Sequence, residues 1–505
     1  MESVPRSSLR TKGLWGACHK RTARRVYARR RTMATVLAAS VLAGAGYGIY
    51  SLVDAHGHGA SETSLTAAVN EVTAAGGGQS DGAAAGGAAV GTAQYLADLA
   101  PQELSLESVP EGANVTITWQ DGTTQTGATP FSAVLPAGHI QIQFGKILYN
   151  DITRSLTLDA ATSLKIWLDP VGQLFESVVR FSCGPEPKQV AFTPDGKELW
   201  VTLLAGYGIE IFDPLSGMKI DEVDLGQYGA VEVIFSGDGK TAYASQMETA
   251  SVYEIDRKTR TVKRQFNTGG TWTKVILLSP DENTLWASNW CRNDVSEIDL
   301  ATGELVRRMN TVVTPRGLYV TPDGERLYVA GYENGDIQRI DLPTNDSKVI
   351  FKTGGAMRHM VGDDAHGLLY IDDMSTADAF VIDLATEKVT KLLDTDRRPN
   401  TMDLSPDGKV LYISNRGKDN PETYLIPGPQ WGDILVVDTA TGEILDAIVG
   451  GNQCTGLDVS PDGNLLAFSD FLDDMIRVYR IPDYATLAAG DGGRVDERLY
   501  DIIKH

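Results

Sequence analysis

From residue 187 onward, short apolar runs alternate with polar turns in a phrase that repeats. Six runs close on an acid, Asp213, Asp256, Asp299, Asp341, Asp383 and Asp438, in IEIFD, VYEID, VSEID, IQRID, FVID and ILVVD. They follow one another at steps of 43, 43, 42, 42 and 55 residues. A second phrase precedes most of them, a polar turn between two apolar runs. It reads TPDG at 193–196, SGDG at 236–239, SPDE at 279–282, TPDG at 321–324 and SPDG at 405–408 and 460–463. Short runs bounded by Pro, Asp and Gly read as strands joined by tight turns. A period in the low forties with several strands per unit predicts a β-propeller. In the first unit the strands are QVAF (A), ELWVT (B), IEIFD (C) and KIDEVDL (D). Strand A starts near 188, 231, 274, 316, 358, 400 and 455, which counts seven blades over residues 170–484. The fifth is degenerate, with DDAHG (363–367) as its turn. No D strand follows MIRVYRI (475–481), whereas FESVVRF (175–181) precedes the first unit as a spare strand. Bare edges are a liability, so 175–181 is predicted to complete the last blade and pin the two ends of the ring.

Before the repeats the pattern changes twice. Residues 101–169 alternate with period two in LSLESV, NVTITW, HIQIQF and LTLDAATSLKIWL, which predicts a small β-domain. Residues 33–53, MATVLAASVLAGAGYGIYSLV, form an uncharged apolar run long enough to span a bilayer. Residues 54–100 include AAGGGQSDGAAAGGAAVG (74–91), a low-complexity tether that buries no core. Residues 485–505 form a C-terminal tail.

Charge adds orientation. The net charge is −21, yet residues 1–32 hold ten of the 45 Lys and Arg against a single acid, Glu2. The remainder carries 35 bases against 65 acids. A basic flank before an apolar run places 1–32 in the cytoplasm and the bulk outside, with 33–53 as a single-pass signal anchor. A cleaved signal peptide and a buried helix are the competing readings of the same run. So acidic a body argues against nucleic acid as partner, because phosphate binding needs a basic face. Four cysteines, no CxxC and only seven His offer no zinc or haem pattern, and no metal or cofactor is expected.

Two family resemblances follow from quoted motifs. Val109-Pro110-Glu111-Gly112-Ala113, Gly127-Ala128-Thr129-Pro130-Phe131 and Leu135-Pro136-Ala137-Gly138-His139 resemble a PEGA domain in order and spacing. This implies an extracytoplasmic β-sandwich of adhesive or architectural use in a bacterium. TPDGERLYV (321–329), NDVSEID (293–299) and GDILVVD (432–438) resemble the YVTN family of seven-bladed propellers. That implies a bacterial or archaeal surface protein, with lactonase, lyase and dehydrogenase-subunit relatives. The expected fold is all-β: a seven-bladed β-propeller preceded by a PEGA-like β-sandwich and one transmembrane helix.

Chemistry is expected where equivalent loops share a rim. Residues at equivalent strand A starts are Lys188, Val231, Lys274, Arg316, Arg358, Asn400 and Thr455, and His359 follows Arg358. Four cations around one mouth would focus a positive potential for an anionic ligand. Pairing with acids such as Glu186 and Glu232 is the structural alternative. The B-to-C loops add Trp290, Arg292 and Tyr332, and an insertion from Arg416 to Trp431 explains the 55-residue step. Loops longer than their siblings are common binding elements. The repeated Asp residues recur in every unit but one and read as turn caps. No GxSxG marks a nucleophile elbow. The expected role is non-enzymatic binding at the bacterial envelope, of a cell-envelope polymer, a surface protein or an anionic small ligand. A lactonase or lyase working in the funnel is the alternative.

Overall fold

The computed structural model describes residues 99–490, and the chain there is almost entirely strand. The apolar run 33–53, the tail 1–32 and the tether up to residue 98 lie outside the described residues. No described helix is long and apolar enough to cross a membrane.

Residues 102–167 form two facing sheets, one of three strands and one of four. Alternation decides the inner faces. In Asn114–Trp119, Val115 and Ile117 are buried, and in Gly138–Gly145, Ile140, Ile142 and Phe144 are buried. They meet Leu104, Leu106, Leu158 and Ile166 in a single core. Gly127 allows the close turn before Phe131, whose ring would lie 2.5 Å from a Cβ at that position.

Seven four-stranded antiparallel sheets follow. Their first strands are Pro187–Phe192, Glu232–Phe235, Thr273–Leu278, Pro315–Val320, Met357–Asp363, Pro399–Leu404 and Cys454–Val459. Each contacts the first strand of the next sheet, and the last contacts the first, so they line the centre of a closed ring. Fourth strands such as Lys219–Asp224 are mostly exposed and form the outer edge. Glu176–Ser182 pairs with Met475–Arg480 as the fourth strand of the last sheet, which joins the two ends as the alternation demands.

Turn chemistry holds the register. Thr193, Ser236, Ser279, Thr321, Ser405 and Ser460 each donate to the Asp two residues on. In the fifth sheet Asp363 takes that place and pairs with the His366 ring at 2.8 Å. Asp213, Asp256, Asp299, Asp383 and Asp438 accept turn N–H groups, for example Thr302 N at 2.7 Å from Asp299. Asp341 instead pairs with Arg339. A hydroxyl on five of the seven second strands latches neighbouring sheets: Thr202 donates to Val231 O, Ser245 to Lys274 O, Ser288 to Arg316 O, Ser414 to Thr455 O and Ser469 to Pro187 O.

Candidate functional site at the strand A starts

Five of the seven connections bend through a left-handed residue two positions before the strand A start residue. Glu186, Trp272, Thr314, Arg398 and Gln453 all have positive φ, between 53° and 64°. This shared bend aims the start residues at one end of the ring. Lys188, Lys274, Arg316 and Arg358 therefore converge, and Arg416, the first residue of the insertion, joins them. Lys188 is close enough to feel the charges of Arg358, Arg316, Arg416 and Lys274.

The three arginines are buried, at 8%, 5% and 9% exposure for Arg316, Arg358 and Arg416, while Lys188 and Lys274 are half-buried. Among the described residues, no carboxylate lies within salt-bridge distance of Lys188, Arg316, Arg358 or Arg416. Cations elsewhere on the ring behave differently: Arg257 meets Asp195 at 2.8 Å and Arg307 meets Glu297 at 2.9 Å. Nη1 of Arg316 is buried without a hydrogen-bond partner. Arg358 donates from Nε to Asn400 O at 2.9 Å and faces Met374 Sδ at 3.6 Å. Arg416 donates to Gln453 Oε1, whose amide nitrogen in turn donates to Tyr424 O.

Aromatic rings line the cluster. Lys274 Nζ sits 4.0 Å from the Trp290 ring centre, and Arg316 lies 6.0 Å from the same ring. Trp290 packs on Tyr332 with centroids 4.8 Å apart. Lys188 Nζ lies 5.3 Å over Phe471, and Arg416 lies 5.6 Å from Tyr424 and 5.9 Å from Phe471. These are cation–π distances.

Burial and mutual repulsion set the protonation. Burial, then Arg358, Arg316, Arg416 and Lys274, push the Lys188 amine well below its usual range. Burial and then Arg316 lower Arg358 to about 9, and burial and then Arg358 lower Arg416 to about 10. Burial raises Glu232 to about 7 against the pull of Arg316, Lys188 and Arg358. Burial likewise raises Asp372 to about 7, opposed by its hydrogen bond from His359 N and by Arg358. Asp372 Oδ1 accepts that bond at 2.6 Å, and Oδ2 is buried without a partner.

Three expected site residues are engaged in other contacts. His359 staples sheets together, its Nδ1 accepting from Met402 N at 3.3 Å. Burial, Arg316 and Arg358 depress its ring to about 3, so it is neutral. Arg292 is drawn to Asp294 at 2.9 Å. Trp431 lines a groove with Val109, Pro110, Trp167 and Arg477, against the small β-domain.

Phe471 and Asp372 lie beside the cations without having been expected there, whereas Glu232 was expected only as a pairing acid. A register signal exists for Phe471. The first residue after each second strand is Leu204, Met247, Trp290, Tyr332, Met374, Arg416 and Phe471. Six of the seven are large and mostly apolar, and four of them, Trp290, Tyr332, Met374 and Phe471, form a collar beside the cations. Among the described residues no three His, Cys, Asp or Glu side chains gather as a metal set.

Residues 164–422 match the family described as YNCE-like beta-propeller, and residues 102–170 match the PEGA domain. A curated relative, Antigen Lp49 of Leptospira interrogans serogroup Icterohaemorrhagiae serovar copenhageni (strain Fiocruz L1-130), is 36% identical over 327 residues. That alignment covers 62% of this chain and 72% of the relative. The chain belongs to the YNCE-like β-propeller family. Its fold is also similar to a chain of Kuenenia stuttgartiensis Hydrazine Synthase, at a TM-score of 0.51 and 20% identity, covering 59% of this chain and 96% of that one. That likeness concerns the fold alone. The PEGA match agrees with the VPEGA, GATPF and LPAGH phrases, each of which sits in or beside a strand of the small sandwich.

Proposed function

We propose that this protein is a binding protein of the bacterial cell surface, with a seven-bladed ring of YVTN-type repeats that holds an anionic group. The collar of Trp290, Tyr332 and Phe471 surrounds that group, and the cations behind it supply the attraction. The ligand is a carboxylate or phosphate carried by an envelope polymer, a surface protein or a small molecule. Likeness to a protein named as an antigen suits exposure at the surface. A single-pass anchor at 33–53 would present the ring outside the membrane.

One observation carries the reading: Arg316 is buried and has an unpartnered Nη1, and Glu232 and Asp372 act on it only from beyond salt-bridge distance, with Arg416 opposing them. Buried cations are normally paired, because an unpaired one destabilises the fold. That cost falls at the end of the ring where cations stand at four of seven equivalent strand starts, which supports a site there. Bound anion would supply the missing charge-assisted hydrogen bonds.

The test is Arg316→Gln in the purified chain, with inorganic phosphate and a soluble polyuronate as probes. Calorimetry should show affinity lowered about 10- to 100-fold, the worth of a hydrogen bond to a charged group. The melting temperature should hold or rise, since a repelling buried charge has gone. Unchanged affinity for both probes, in a folded variant, refutes the anion site.

A further inference from the structure

Lys188 differs from the three arginines beside it in one chemical respect. An arginine in such a cluster stays charged, whereas a lysine can shed its proton and become a nucleophile. Its surroundings favour that. Arg358, Arg316, Arg416 and Lys274 repel its charge, and no carboxylate lies within salt-bridge distance among the described residues. The ring of Phe471 lies 5.3 Å from Nζ on one side, and the carboxyl of Glu232 comes from the neighbouring sheet. Lys188 as a whole residue is half-buried rather than sealed.

We propose that Lys188 is the nucleophile of a Schiff-base site, forming an imine with the carbonyl of a 2-oxo acid whose carboxylate is held by Arg316 and its neighbours. This rests on the anion site proposed above and names its ligand class. The Nζ lone pair attacks the carbonyl carbon, and the carbonyl oxygen takes up a proton to give a carbinolamine. Loss of that oxygen as water, carrying both protons of the original amine, leaves the C=N bond. Glu232, on the first strand of the neighbouring sheet and within electrostatic reach of Lys188, is the acid this proposal assigns to protonate the departing hydroxyl and to recover the proton from nitrogen. No oxidant or reductant is consumed.

An ordinary lysine is unprotonated in only about one molecule in 2,500 at pH 7, so an activated amine is distinguishable by its reactivity. The purified full-length chain is incubated with pyruvate and cyanoborohydride, which reduces an imine to a stable amine, and tagged lysines are mapped by mass spectrometry. Pyruvate binding is measured in parallel by calorimetry without reductant. Lys188 should carry the tag at least about 10-fold above any other lysine, inorganic phosphate should suppress it, and Lys188→Met should erase it. If pyruvate binds yet the tag is spread over exposed lysines, the amine chemistry is overturned and the anion site stands. If neither pyruvate nor phosphate binds and Lys188 is untagged, both proposals fall. If pyruvate does not bind measurably but Lys188 alone is tagged with the same preference, the nucleophile stands and the anion site falls.

Discussion

Asp372 shows how one substitution within a repeat changes chemistry. At the equivalent position of five sheets a Ser or Thr hydroxyl latches one sheet to the next, and Ala330 stands in a sixth. Asp372 puts a fully buried carboxyl there, beside Arg358 and Arg316. Burial lifts it from 3.8 to about 7, so the folded chain holds a proton that the unfolded chain releases. The stabilisation from this group is therefore complete below about pH 4 and is lost as pH rises through about 7. Asp372→Asn abolishes that dependence. The difference in melting temperature, variant minus wild type, should grow between about pH 4 and about pH 7 and level off above that, worth on the order of a few kcal/mol. Comparing the two proteins cancels Glu232 and His359, which titrate in both. A difference that stays constant across this range shows that Asp372 is not held protonated.

At the scale of the elements, the strand that closes the ring is the most exacting test. Glu176–Ser182 pairs with Met475–Arg480 across nearly three hundred residues of chain. Val178, Val179 and Phe181 pack on Val190, Phe192, Leu199, Ile476 and Val478. Phe181 also packs on Phe212 of the first sheet, centroids 4.7 Å apart, so the strand braces two sheets. Deleting 176–182 should lower the melting temperature of the whole ring by roughly 5 °C or more, because an inner edge and apolar surface are laid bare. A ring that melts unchanged after the deletion does not depend on this closure. This pairing was legible in the chain because the alternation left one unit a strand short and supplied a spare. The four converging cations were legible for a related reason. The Ser/Thr-x-Asp turns fix the register of each strand A, so equivalent positions can be counted back from them. The collar was harder to see, since Trp290, Tyr332 and Phe471 read as ordinary apolar residues unless counted from the end of each second strand. Trp431 had no register to count from, because the insertion has no counterpart in the other units. The protonation of Asp372 and Glu232 depends on depth of burial, which the repeat pattern does not encode.

In the whole molecule, the small sandwich and the ring meet through a joint that is itself charged. Arg180, on the closing strand, pairs with Asp169 at the end of the sandwich and donates to Tyr479 Oη at 2.9 Å. Its side chain is 6% exposed. Leu174 N donates to Asp446 Oδ2 at 2.9 Å, and Val449 of the sixth sheet packs against the sandwich core. The segment that completes the ring thus also anchors the sandwich, so tension arriving from the N-terminal side reaches the strand on which closure depends. Losing one partner of a buried pair leaves the other charge uncompensated, which costs about 3–5 kcal/mol. The wild type should unfold in a single calorimetric transition. Arg180→Met should split it into two, with the sandwich melting first and the ring keeping most of its stability through the strand's apolar contacts. Two transitions in the wild type, or one undisturbed transition in the variant, would show that sandwich and ring are coupled through other contacts or not at all.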